Sequence, residues 1–394
     1  MTGLPPGVHP QRVLDEVRWR RDQFLSLLEA LCRNESPSLD PGGQQAVHAV
    51  LAANLDALGY EVRELPGPRS GGHLYARPRR RCRGARMQLL LGHYDTVWPT
   101  GTLETMPFAI EGERARGPGV YDMKGGLAQL VVALATLQGL GFEPAVTPVV
   151  LVNADEEVGS RESGRHVRRL ARIACRAFVL EPSLGIEGRL KTERKGVARY
   201  TVVVHGRAAH AGLDPAAGAS AILELSHVIQ ALFALNDPAR GITVNVGTID
   251  GGLRPNVVAP ESRAVVDVRT RSLADAEAVD AAIRGLAPVT PGTSLTVDGG
   301  LGRPPLEPTP RNRVLFESAR RLAARLDLPI EGGLAGGGSD GSTASLYTAT
   351  LDGLGPVGDG AHAAHEYLEI GPTLERAALL ALLLLAPPGV HGGS

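Results

Sequence analysis

Two kinds of hydrophobic spacing divide this chain. Over residues 13–32 and 44–58 apolar side chains recur every third or fourth position, which predicts helices, the second closed by Gly59. Residues 60–65 alternate as a strand with one wet face does. Residues 87–92, 149–152 and 177–180 are short unbroken apolar runs, the pattern of strands buried on both faces of a parallel sheet. Helices are expected at 127–137 and 163–173. From about residue 191 the texture changes. Residues 197–205 alternate, 217–235 read as a helix, 241–249 and 264–269 as strands, and 274–286 as a second helix. That order suggests a small α+β layer with one sheet face covered. A Gly/Pro-rich stretch, 299–310, reads as a linker before helical spacing resumes at 314–326.

The expected architecture is therefore α/β: a host domain of residues 1–192 and 307–394, with a central mixed, mostly parallel sheet between helices, interrupted by a smaller α+β domain at 193–306. A chain of 394 residues is too long for one ordinary core, and long enough to enclose an active site. Its charge is balanced, 41 basic against 42 acidic residues, which argues against nucleic acid as a partner. The arginine-rich stretch of Arg77, Arg79, Arg80, Arg81, Arg83 and Arg86 precedes a strand and reads as a solvated loop. Cys32, Cys82 and Cys175 are widely spaced and odd in number, so neither a disulfide framework nor a thiolate zinc site is expected. The first 21 residues hold no apolar core of signal-peptide length, and the apolar run 377–386 is about half of what spans a bilayer. A cytoplasmic protein with a packed terminal helix, and no membrane partner, is the expectation.

The polar residues that matter sit where apolar runs stop. The run 149–152 ends in Asn153-Ala154-Asp155-Glu156-Glu157, three consecutive carboxylates where a buried strand must emerge. Adjacent like charges raise one another's pKa, so such a cluster needs cations, full solvation or a following helix N-terminus. By itself it reads as the acidic first turn of a helix. Three other segments also end in groups able to hold a metal: His93 after 87–92, Asp122 in the glycine-flanked loop 117–126, and Glu181 after 177–180. Open α/β sheets place their sites at the carboxyl ends of strands. Imidazole and carboxylate ligands without thiolates suit hydrolytic Zn²⁺ with open coordination, and two zincs need a bridging carboxylate. Asp95, two residues after His93, is placed to hold the imidazole tautomer.

Gly92-His93-Tyr94-Asp95-Thr96-Val97, Gly119-Val120-Tyr121-Asp122-Met123-Lys124-Gly125-Gly126 and Asp155-Glu156-Glu157-Val158-Gly159-Ser160 together resemble the signatures of the dinuclear zinc exopeptidases related to acetylornithine deacetylase and succinyl-diaminopimelate desuccinylase. Within that family the glutamate carboxypeptidase (carboxypeptidase G) branch is most similar, from about residue 40 to the C-terminus. The resemblance implies a zinc-exopeptidase fold and two Zn²⁺ per subunit, with Co²⁺ or Mn²⁺ as substitutes. His93 and Glu181 would bind one metal, Glu157 and a late histidine the other, and Asp122 would bridge them. Spacing to Glu366-Tyr367 selects His362 over His365 as that histidine. Glu156 matches the general base acting on a metal-bridging water. A cis peptide between Asp122 and Met123 is also implied.

In the inserted domain, the resemblance makes His210 an oxyanion-stabilising group that serves the active site of the opposite subunit. Asn256 and Arg269 match groups that hold a substrate carboxylate, although Arg269 reads equally as a strand-edge salt bridge. Gly336-Gly337-Gly338-Ser339-Asp340-Gly341 lacks the Lys-Ser/Thr ending of a phosphate loop, so backbone N–H groups of Gly337 and Gly338 are expected to approach the same carboxylate. The implied protein is a homodimer joined through 193–306. It would cleave the amide before a C-terminal amino acid, glutamate in particular, in a small peptide or N-acyl substrate. The rival readings are an N-acyl-amino-acid deacylase with the same metal site and a non-catalytic binding protein on this scaffold.

Overall fold

The computed structural model describes residues 4–80 and 84–388; Arg81, Cys82 and Arg83 of the arginine-rich stretch lie outside the described residues. The chain divides into two compact units. The larger comprises the described residues of Met1–Glu193, Pro308–Ala335 and Ser339–Ser394, and the smaller Arg194–Glu307 with Gly336–Gly338.

The larger unit is built on a six-stranded sheet in the order Tyr60–Leu65, His73–Pro78, Thr147–Asn153, Met87–His93, Ala174–Val179 and Ala349–Leu351. The last four strands run parallel, while the first two form an antiparallel edge. The strand Met87–His93 lies between Thr147–Asn153 and Ala174–Val179, paired in parallel with both. Three carboxyl ends therefore open side by side, about 4.8 Å apart from strand to strand. Leu89, Leu90, Val150, Val152 and Phe178 are buried, as expected of a sheet covered on both faces. Helices Gly125–Gly139 and Ile370–Leu385 are apolar around most of their circumference and lie in the core. Truncating any of Leu379, Leu380, Leu382 or Leu383 to Ala would cost about 2–5 kcal/mol. Among the described residues no helix is long and apolar enough to cross a membrane.

The smaller unit is a four-stranded antiparallel sheet, Thr243–Gly251, Glu261–Thr270, Gly196–His205 and Ser294–Arg303, with helices Ala221–Phe233 and Leu273–Arg284 packed on it. Tyr200, Val202, Val204, Leu225, Val228, Val266, Val268 and Ile283 fill its core.

Three sequence expectations need correction. The helix expected over 13–32 is two helices, Pro10–Trp19 and Arg21–Cys32, which meet at Arg20 (φ −86°, ψ 14°). The start of the expected linker 299–310 belongs to strand Ser294–Arg303. Gly299 (φ 103°) lets two backbones close up there, since a Cβ would stand 2.1 Å from the Arg199 carbonyl oxygen. Gly336–Gly338 group with the smaller unit and not with the segment 307–394 that surrounds them.

Candidate metal centre

A candidate ligand stands at or just beyond each of three neighbouring strand ends. His93 closes Met87–His93 beside Asn153, its register partner, so the Asp155-Glu156-Glu157 turn begins on one flank of His93 and Glu181 follows Ala174–Val179 on the other. Asp122 enters from the loop ahead of helix Gly125–Gly139. That helix approaches closely because Gly126 has no side chain: a Cβ would stand 2.2 Å from the Leu180 carbonyl oxygen. Its peptide bond to Met123 is cis. Tyr121 Oη donates to the Ser183 carbonyl at 2.7 Å, tying the loop to the segment that carries Glu181.

Within this unit the polar atoms converge. His93 Nε2 lies 3.3 Å from Asp122 Oδ1 and 3.4 Å from Glu181 Oε1. His362 Nε2 lies 3.5 Å from Asp122 Oδ2 and 3.2 Å from Glu157. Asp122 thus stands between the two histidines, one oxygen turned to each. Ligand atoms of His93, Asp122 and Glu157 all lie within 4.8 Å of one another, as do those of His93, Glu156 and Glu181. His362 has φ 61°, a left-handed backbone rarely adopted outside glycine and associated with functional positions.

Asp95 organises both sides of the cluster. His93 Nδ1 is 2.9 Å from the Asp95 carbonyl oxygen and 3.4 Å from Oδ1, which fixes its proton there and leaves the Nε2 lone pair facing Asp122 and Glu181. The Asp95 carboxylate accepts the backbone N–H groups of Glu156 and Glu157, each at 3.1 Å, and the Ser38 hydroxyl at 2.6 Å.

These residues fit a pair of divalent cations. In a tetrahedral site with metal–nitrogen and metal–oxygen bonds of about 2.0–2.2 Å, neighbouring ligand atoms are separated by about 3.3–3.5 Å. The four separations above span 3.2–3.5 Å, long for hydrogen bonds but suited to such edges. Asp122 Oδ1 is buried and makes no hydrogen bond. The electrostatics point the same way. Burial would lower the pKa of His93, yet Asp122, Asp95 and Glu181 raise it well above the usual histidine value. Asp122 and Glu157 push His362 to about 10. Burial, with the Asp122 charge adding to it, raises Glu157. A pocket with this many carboxylates calls for positive charge.

One residue with a large role here was legible only as a spacing marker. The buried Glu366 carboxylate accepts Gly119 N–H at 2.9 Å and Trp98 Nε1–H at 2.9 Å on Oε2, and Tyr121 N–H at 2.9 Å and Asp122 N–H at 3.0 Å on Oε1. It holds the backbone of the Asp122 loop from four residues beyond His362. Glu366→Gln should keep the fold but turn an amide N–H₂ against backbone donors, lowering metal affinity by about 10–100-fold in a chelator competition. Unchanged affinity would confine Glu366 to stability. His365 is exposed and has no polar partner among the described residues. His362→Ala should therefore release one metal per chain in a metal titration while His365→Ala retains both; the reverse pattern would move the ligand to His365.

The remaining candidates belong to the smaller unit. His210 Nδ1 accepts the N–H groups of Gly212 and Leu213, both at 3.1 Å, which leaves Nε2 as the protonated, donating nitrogen. Asn256 is exposed, and its carbonyl oxygen accepts Ala211 N–H at 3.0 Å. Arg269 makes the salt bridge named as its second reading: Nε and Nη2 pair with Asp267 at 2.7 and 3.1 Å. Around the glycine loop the structure differs from expectation. Carbonyls, not N–H groups, meet side chains there: Gly336 O accepts from Arg269 at 3.4 Å and Gly337 O from Arg194 at 3.1 Å, while Gly338 packs on the Arg303 stem. Arg194 and Arg303 carried no motif that could have singled them out.

Residues 192–290 match the peptidase dimerisation domain of the M20 family. Carboxypeptidase G2 of Pseudomonas sp. (strain RS-16) is 30% identical over 374 residues, covering 92% of this chain and 88% of its own. Succinyl-diaminopimelate desuccinylase of Gluconacetobacter diazotrophicus is 28% identical over 386 residues, covering 91% and 96%. The crystal structure of aminopeptidase PepT from Bacillus cereus shares the fold with a TM-score of 0.76 at 20% identity, over 93% of this chain and 98% of that one. With this likeness along nearly its whole length, the chain belongs to the M20 family of metallopeptidases and related amidohydrolases.

Proposed function

We propose that this M20 hydrolase is a carboxypeptidase that removes a C-terminal amino acid, glutamate in particular, from small peptides or N-acyl substrates. The observation that carries the chemistry is Asp122 set between His93 and His362, with Glu181 on one side and Glu157 on the other. We assign His93, Asp122 and Glu181 to one cation and His362, Asp122 and Glu157 to a second, with zinc as the metal. When bound, such a pair supplies Lewis-acid polarisation of the scissile carbonyl and a lowered pKa for water.

The protein's own groups do the rest. Asp95 holds His93 in the tautomer that offers Nε2, and anchors the turn that presents Glu156. Glu156 takes the proton from attacking water and delivers it to the leaving amine. His210, with Nε2–H as donor, stabilises the developing oxyanion, and in this reading it is supplied by the partner subunit. Arg269 and Asn256 hold the substrate carboxylate. Arg194 beside the Gly336–Gly338 loop supports an anion-binding role for this segment.

Residues 193–306 act as the dimerisation domain. Strand Thr243–Gly251 is a sheet edge, and exposed Ile222, Leu223, Ile249 and Leu253 lie on or beside it, with Ile222 next to Gly252. Free thiols at Cys32 and Cys175 support a cytoplasmic setting.

The likeness to a desuccinylase favours the N-acyl-amino-acid deacylase as the second reading. A kcat/KM panel across acyl groups and C-terminal residues, with metal content measured in parallel, separates the two: carboxypeptidase action requires preference at the C-terminal residue with tolerance of the acyl side. Arg269→Ala should penalise free-acid substrates far more than the matching C-terminal amides, because only the acids lose a charge-assisted pair. An equal loss on both would leave Arg269 to Asp267 alone.

A further inference from the structure

Helix Gly164–Ile173 turns Val167 and Ala171 into the core and leaves Arg165, Arg168, Arg169 and Arg172 exposed, with exposed Arg161 just ahead of it. No carboxylate pairs with any of these five among the described residues. Some exposed arginines elsewhere pair with carboxylates, as in Arg33–Glu29, Arg284–Asp280 and Arg320–Glu317, while others, such as Arg12, Arg313 and Arg321, do not among the described residues; what sets this helix apart is that five arginines without a carboxylate partner gather on one short segment. The one acid within the segment, Glu162, is taken up by Arg69 and Ser70.

The arrangement works against the helix that carries it. Arg165/Arg169 and Arg168/Arg172 are like-charge neighbours at i,i+4 on the helix, each mildly unfavourable. The first turn itself carries no acid and no N-cap side-chain hydrogen bond, although the Asp155 carboxylate accepts the N–H groups of Glu162 and Ser163 just ahead of it, at 2.7 and 3.4 Å. Burial, Arg165 and Arg169 all hold the His166 imidazole below its usual pKa, so the local field is felt by neighbours. A run of like charge on an exposed helix face, with no carboxylate paired to it, marks an interaction surface.

We infer that the stripe Arg161–Arg165–Arg168–Arg169–Arg172 is a docking face for an acidic polypeptide segment. Guanidinium forks, with no lysine among them, match carboxylates two by two. Successive turns of the stripe lie about 5.4 Å apart, close to the about 6.7 Å between same-side carboxylates of an extended chain. The apolar side of the helix is already spent on the core, so it is not free to enter a bilayer. Tyr347, the aromatic ring beside the stripe, is covered by Arg172 at 4.8 Å, which leaves no free platform for stacking bases.

The test uses a fluorescent oligoglutamate carrying a C-terminal amide, followed by anisotropy with the intact protein. Binding is expected at low ionic strength and should weaken steeply with salt. Arg165→Gln, Arg168→Gln, Arg169→Gln and Arg172→Gln combined should reduce affinity by about tenfold or more while leaving kcat/KM on a short substrate unchanged. Should that variant not fold, protection of these arginines from phenylglyoxal in the wild-type protein, with Arg33 and Arg320 unprotected, supports the same face. No binding, equal binding by the folded variant, or no protection overturns the inference. Tighter binding of a single-stranded oligothymidylate at the same face would overturn the acidic peptide as its occupant.

Discussion

Glu156→Gln is expected to keep both metals and lose about 10²–10⁴-fold in kcat. The substitution preserves the size of the side chain and removes only its ability to take and pass a proton. The turn that carries it should stay in place, because the Asp95 carboxylate holds it through the backbone N–H groups of Glu156 and Glu157 and not through the Glu156 side chain. The loss corresponds to about 3–5 kcal/mol of transition-state stabilisation. Metal analysis decides the interpretation, since a Glu156 oxygen lies within 4.8 Å of ligand atoms on His93 and Glu181 and so stands within reach of a ligand's role. If zinc and activity fall together, Glu156 is a ligand and the proton transfer belongs elsewhere.

Much of the centre was legible because a parallel sheet converts sequence into position. An apolar run that stops at a polar residue says where a strand emerges, and three such stops, at His93, the Asp155 turn and Glu181, fall on adjacent strands. Asp95 was legible from its two-residue offset. His362 was not legible from its own surroundings and needed the distance to Glu366-Tyr367. The role of Glu366 itself was hidden: it acts on backbone N–H groups of a loop 244 to 247 residues away, and backbone donors leave no mark in a sequence. Strand His73–Pro78 was missed because its alternation runs straight into the arginines of the loop that follows. The reading of Gly299 as linker failed for a related reason. Glycine marks both a flexible link and a close approach of two backbones, and only the neighbouring Arg199 carbonyl tells them apart. Arg269 shows the limit from the other side. Asp267 and Arg269 share one face of a strand, so their pairing follows from spacing alone, while any exchange of Asp267 for a substrate carboxylate does not.

Restored activity from two dead parents is the result expected if His210 acts across the dimer. A Glu156→Ala homodimer lacks the base at both sites, and a His210→Ala homodimer lacks the oxyanion donor at both. In a mixed dimer with sharing, one site collects both defects and the other neither, because each site takes Glu156 from one chain and His210 from its partner. Random assembly of equal amounts makes about half of the dimers mixed, each with one intact site of two, so activity should return to about a quarter of wild type. Dimer formation is monitored separately with two differently tagged chains, which keeps failure to mix from passing as a negative result. The preset tautomer sharpens the expectation. With Nδ1 held by Gly212 and Leu213, His210 meets an oxyanion as a neutral donor, and His210→Gln, which also offers an N–H, should retain more activity than His210→Ala. Mixed dimers as inactive as either parent would place His210 within its own chain or outside catalysis altogether.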